Sequence, residues 1–157
     1  MQEPCTGNHY QAKHADLMLS SFLRLTGKPL LDPTLTDNAR FQALYHAPFA
    51  VVSHNTDSDP IFNYGNKTAQ ALFEMNWQDF TKLPSRFSAE PQIQSERDRL
   101  LARVTQYGFI DNYQGVRISA TGKRFFVSNA IVWNLLDERN VYGGQAAVLY
   151  QWSIEPQ

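Results

Sequence analysis

Apolar residues recur at helical spacing over residues 14–26, with Met18, Phe22 and Leu25 on one line and Leu19 and Leu23 beside it. Gly27 follows as a stop, and Pro29 lies just beyond. The pattern predicts a second helix over 37–46, capped by Thr36, with Phe41, Leu44 and Tyr45 turned inward. Residues 28–35, which include Pro29 and Pro33, read as a connector. After Pro48 the period changes. Residues 49–53 suit a buried strand, residues 55–60 are a dense turn signal, and residues 61–64 complete a hairpin. Asn66 then caps a helix whose inward line is Ala69, Leu72 and Phe73. Asn76 caps a further turn that offers Trp77, Phe80 and Leu83 for burial, and Pro84 stops it.

A longer helix follows Pro91. Ser95 and Asp98 resemble a capping box, Leu100, Leu101, Val104 and Tyr107 form the apolar stripe, and Gly108 ends it. Strands are expected over 109–118, 124–136 and 142–152, divided by turns at 120–123 and 137–140. Short links between consecutive strands imply antiparallel pairing. The sum is an α+β arrangement: a five-stranded antiparallel sheet with a helical insert on one face. Residues 1–47 form an N-terminal helical extension and residues 48–157 the main domain. The second sheet face is left to solvent, to the N-terminal helices or to a partner.

Composition narrows the classes. The chain has 157 residues, 43% of them apolar and 13% aromatic, which suits a globular domain with a sizeable core. A net charge of −1 gives no global attraction to nucleic acid or anionic membrane. No apolar run approaches the length of a membrane span, and no secretory leader is recognised, so a cytoplasmic location is expected. The single cysteine, Cys5, excludes an internal disulfide and a cysteine-cluster zinc site.

The order strand–strand–helices–strand–strand–strand, with residues 59–66 (DPIFNYGN) at the second strand and Leu72-Phe73 on the next helix, resembles a PAS domain. More narrowly, Asn63-Tyr64-Gly65-Asn66, the run LPSRFSAEP at 83–91, Gly108-Phe109-Ile110 and the run VWNLLD at 132–137 resemble the MEKHLA family, a PAS-like group. The resemblance covers about residues 15–152. It implies a PAS-like fold and a sensing or interaction role, with no enzymatic activity attached.

Flavin photoreceptors are PAS relatives with a definite chemistry. Laid on their flavin-linking segment, residues 84–89 place Ser85 where the reactive cysteine would stand. A serine hydroxyl does not form the thioether adduct. Arg86 matches a residue that can meet a flavin phosphate. An ungapped count puts Val127 where an asparagine would read the flavin ring, and a slip of two residues brings Asn129 there instead. Gln145 could supply the remaining amide. Non-covalent flavin therefore stays a minor alternative to the expectation of no cofactor. Haem is disfavoured, because residues 96–107 contain no histidine, and His9, His14, His46 and His54 read as surface or helix-end residues.

On one expected face of the strand at 124–136 stand Phe125, Val127, Asn129, Ile131, Trp133 and Leu135. Asn129 either addresses a ligand or pairs within the protein, since a buried amide left unpaired is costly. Gly143, Gly144, Ala146 and Ala147 either open space for a ligand or let a helix pack closely. No phosphate loop, nucleophile elbow or paired-histidine metal motif occurs, so catalysis and metal binding are not expected.

The sequence thus points to a sensory or interaction module that binds a small molecule or a protein partner, without direct nucleic-acid or membrane contact. Tyr64, Ser85, Arg86, Asn129, Trp133 and Gln145 are the candidate ligand residues, in a pocket between the insert and the sheet. Met18, Leu19, Phe22 and Leu23 are the candidate surface for a partner or homodimer. The rival is a small cone-shaped α+β enzyme acting on a hydrophobic substrate, which would need a His–Asp or paired-carboxylate arrangement facing its cavity.

Overall fold

The computed structural model describes residues 2–89 and 94–154. Two helices, α1 (Ala12–Thr26) and α2 (Asn38–Tyr45), precede the hairpin β1 (Ala50–His54) and β2 (Phe62–Gly65). The insert comprises α3 (Lys67–Phe73), α4 (Trp77–Phe80), a 3-10 turn at Ser85–Ser88 and α5 (Gln94–Tyr107). Then come β3 (Phe109–Ile118), β4 (Arg124–Leu136), β5 (Tyr142–Leu149) and β6 (Gln151–Ile154). The strands form one antiparallel sheet in the order β2-β1-β5-β4-β3, with β6 also paired to β4.

Local chemistry explains the insert. Asn66 Oδ1 accepts from Ala69 N at 3.0 Å and Asn76 Oδ1 from Asp79 N at 2.8 Å, so both expected caps form. Asn66 does more than cap. Its Oδ1 also takes Val51 N, and its Nδ2 donates to Leu44 O and Phe49 O at 3.0 and 2.9 Å. One fully buried amide thereby ties the end of α2, the start of β1 and the start of α3 together. Beside it, Gly65 leaves room for Phe80, whose ring would lie 2.7 Å from an added Cβ. For α2 the expectation differs: the N-cap is Asp37 at φ 52°, with no side-chain cap. Only the backbone carbonyl of Thr36 joins in, accepting from Ala39 N. The capping box at Ser95 and Asp98 lies outside the described side chains.

The last expected strand is two. It breaks at Tyr150, opposite Asn129 of β4, and there β4 has one residue more than its other neighbour β3, a bulge with Asn129 at φ 55°. Residues 125–128 of β4 pair with β6, and residues 131–136 pair with β5. An extra residue in a strand inverts the facing of everything after it. Phe125, Val127, Ala130 and Val132 therefore face the insert, whereas Ile131, Trp133 and Leu135 face the N-terminal helices. The expected single row from Phe125 to Leu135 is divided at the bulge.

Each sheet face has its own core. On the helix side, Phe22 meets the Trp133 ring edge-on at 4.9 Å, and Trp133 Nε1 donates to Met18 O at 3.2 Å. Ser21 Oγ donates to Leu136 O and accepts from Leu136 N, at 3.0 and 2.8 Å, which locks α1 to the end of β4. On the insert side, Phe62 stacks on Phe80 at 4.4 Å and Phe73 meets Phe125 at 5.2 Å.

Candidate functional site

Three half-buried polar side chains stand in one row across three strands of the insert face. His54 of β1 is directly opposite Gln145 of β5, and Gln145 is opposite Asn134 of β4. Strand alternation puts them on the side of Val52, Ala147 and Val132. Gln145 Nε2 donates to Asn134 Oδ1 at 3.3 Å, and Asn134 Nδ2 donates to Val104 O of α5 at 3.4 Å. His54 Nδ1 donates to Asn55 O at 2.9 Å, which leaves Nε2 as its acceptor. The row lies half-buried beside the last turn of α5, tied to it by the Asn134–Val104 bond. It offers no nucleophile.

Of the candidate ligand residues, the structure brings only Gln145 to this row. Asn129 is exposed and donates to Gln151 Oε1 at 2.8 Å, because the bulge turns it away from the insert. Tyr64 and Trp133 are fully buried in the helix-side core. Ser85 and Arg86 close the insert onto the hairpin. Ser85 N donates to Pro60 O at 2.8 Å, while Arg86 pairs with Asp59 at 3.1 Å and lies over Phe87. His54 and Asn134 were missed. Asn134 could have been found only by counting through the bulge, since uninterrupted alternation assigns it to the other face.

The candidate partner surface divides too. Met18, Leu19 and Phe22 are buried under the helix layer, against the expectation that they present an apolar surface, and Leu23 alone of the four is exposed, at 49%. The cause is the sheet itself: its outer face needs covering, and α1 covers it.

A second polar chain runs through the helix side. His14 Nε2 lies 2.8 Å from Ser53 Oγ, and the Ser53 hydroxyl donates to Asn63 Oδ1 at 2.5 Å. Ser53 thus spends its proton on Asn63 and accepts from the imidazole. Burial pulls the His14 pKa down to about 4. This is a neutral, internally satisfied chain, unlike a nucleophile held by its base. Nearby, the Tyr64 hydroxyl is buried with no partner among the described residues, and burial pushes its pKa well up. Among the described residues no cluster of three or more histidine, cysteine, aspartate or glutamate side chains could hold a metal, and no helix is long and apolar enough to cross a membrane.

The model of the MEKHLA domain matches residues 12–154. The chain belongs to the MEKHLA domain family. Solved structures similar to it share the PAS fold at low identity. A PAS domain from Colwellia psychrerythraea aligns at 13% identity over 71% of this chain and 92% of that one, with a TM-score of 0.61. The blue-light photoreceptor Aureochrome1 LOV domain aligns at 17% identity over 79% and 88%, with a TM-score of 0.56. The light-state dimer of the fungal blue-light photoreceptor Vivid aligns at 11% identity over 85% and 93%, with a TM-score of 0.57. No curated protein sequence matches the MEKHLA chain. Its residues do not fit a covalent flavin: the one cysteine is Cys5, Ser85 stands in the insert, and Phe62, Phe73, Phe80 and Phe125 occupy the space between insert and sheet.

Proposed function

We propose that this MEKHLA chain is a sensory or interaction module in signalling, which takes a small molecule or a protein partner and performs no catalysis. The observation that carries the reading is the His54–Gln145–Asn134 row, a built polar strip on the insert face of a PAS fold, in contact with α5 through Val104 O. Binding there would change how α5 sits on the sheet, and a module of this kind passes its signal by such a shift in population. No cofactor is invoked. Non-covalent flavin is opposed by the phenylalanine filling and by the engagement of Arg86 with Asp59. In this reading residues 1–47 are a fixed cover for the sheet formed by residues 48–157.

The enzyme reading finds its one point of support in the His14–Ser53 contact. The direction of the Ser53 hydrogen bond and the burial of that side chain argue against it.

The test is an absorption spectrum and native mass spectrum of the freshly purified chain, repeated on the Gln145→Leu, Asn134→Leu double variant. The expected result is no visible band, together with a bound mass or co-purifying partner that the double variant loses. A flavin or haem band would overturn the cofactor-free reading. A bound species that survives the double variant would move the site elsewhere.

A further inference from the structure

The chain before α1 folds back over the helix-side core as a strap. His9, Tyr10 and Gln11 have φ of 54°, 55° and 54°, three successive residues in the left-handed region. Side chains with a Cβ disfavour that region, so such a run persists only where surrounding contacts hold it. The contacts are present. Gln11 Nε2 donates to Gln2 O at 2.5 Å, Asn8 Nδ2 to Glu3 O at 2.9 Å, and Tyr10 N to Cys5 O at 2.8 Å. Asn8 Oδ1 accepts from the backbone of Cys5 and Gln11.

At the strap's far end, the Glu3 carboxylate accepts a short hydrogen bond from the Tyr45 hydroxyl and pairs with Lys67 Nζ at 3.0 Å. Pro4, the next residue, is buried. Tyr45 is held for this task from the other side, because Gln70 Nε2 donates to its hydroxyl at 2.9 Å and leaves that proton for Glu3. Its ring meets Tyr64 and Trp77, each at 6.2 Å. Within the same cluster the Tyr64 hydroxyl is buried and has no partner among the described residues.

We propose that Tyr45 and Lys67, at the rim of the Tyr64–Trp77 cluster, are a binding site for a carboxylate attached to an apolar ring, and that Glu3 fills it from within the chain until such a ligand displaces the strap. The chemistry matches the present occupant: a carboxylate that takes one phenol donor and one ammonium, carried beside the Tyr45 ring. The strap is tethered and so enjoys a high effective concentration, which a competitor must overcome. Release of the left-handed run at His9–Gln11 favours the exchange. The site lies where the end of α2 meets the start of α3 and shares no residue with the polar row of His54, Gln145 and Asn134, so either can fail alone.

The probe is benzoate, titrated by calorimetry into the full chain, the Glu3→Ala variant and the Glu3→Ala, Lys67→Ala double variant, with benzamide as the neutral control. Glu3→Ala should bind benzoate at least ten-fold more tightly than the parent. The double variant should lose that gain, and benzamide should bind none of them. In the parent, saturating benzoate should speed hydrogen exchange at the Tyr10 amide, whose bond to Cys5 O closes the strap. Circular dichroism melting checks that each variant is folded. Equal affinity in parent and Glu3→Ala, equal binding of benzamide, or indifference to Lys67→Ala would overturn the proposal.

Discussion

The imidazole of His14 meets the hydroxyl of Ser53 at 2.8 Å, joining the first helix to the first strand across the covered face of the sheet. The bond needs a neutral ring in a place that disfavours charge. The His14 pKa falls from 6.5 to about 4 on folding, so between those values the unfolded chain binds more protons and stability drops as pH is lowered. The full window corresponds to about 3 kcal/mol. Glu3 and Glu74, held below 4.5 chiefly by bonds from Tyr45 and Ser119, add acid sensitivity only beneath that pH. Urea melts from pH 7 to pH 4.5 should show the loss in the parent and a flatter profile in His14→Gln. An equally steep profile in the variant would assign it elsewhere.

Asn66→Ala should destabilise the chain by about 3 kcal/mol or more, since it strips partners from buried backbone groups of Val51, Leu44 and Phe49 as well as removing a cap. Asn66→Asp should recover little of this, because a carboxylate cannot donate to the two carbonyls. Chemical denaturation of both variants checks the point, and a loss confined to the cap's share of about 1 kcal/mol would contradict it.

Tyr64→Phe should be neutral or stabilising by on the order of 1 kcal/mol, the reverse of the usual result for trimming a core tyrosine. The hydroxyl it removes is buried and lacks a partner among the described residues. A clear loss in the denaturation midpoint would mean that the group has a partner after all.

Met18→Ala should cost about 2–5 kcal/mol, whereas Leu23→Ala should stay within about 0.5 kcal/mol. Met18 is fully buried against Trp133 and Leu23 is 49% exposed. If sedimentation shows a dimer of the parent that Met18→Ala dissolves without loss of monomer stability, α1 would serve a partner instead of its own sheet.

The parts of this fold that could be read in advance were those decided within a few residues. Asn66 and Asn76 cap helices through amides three positions on, and Gly108 ends α5 with φ 82° because the reversal needs no distant contact. Gln145 was named from the flavin-photoreceptor comparison, as an amide on the last strand. Asn134 was not, because its facing depends on an extra residue of β4 that shows only in the pairing of β4 with β3. Asn129, the residue at that bulge, looked inward for the same reason.

The residue pattern by itself determined the order of the helices and of the strands up to β5 and the antiparallel hairpins, since periodicity, caps and turn residues act over short range, while the quoted sequence runs carried the MEKHLA resemblance. Only the tertiary structure decided which face each side chain serves. Trp133 was committed to the helix layer by the one-residue shift of the bulge. Met18 and Phe22 went to their own sheet because that face had to be covered. The polar row of His54, Gln145 and Asn134 assembled from residues 80 and more positions apart in part, and no local pattern encodes a register between strands so distant in sequence.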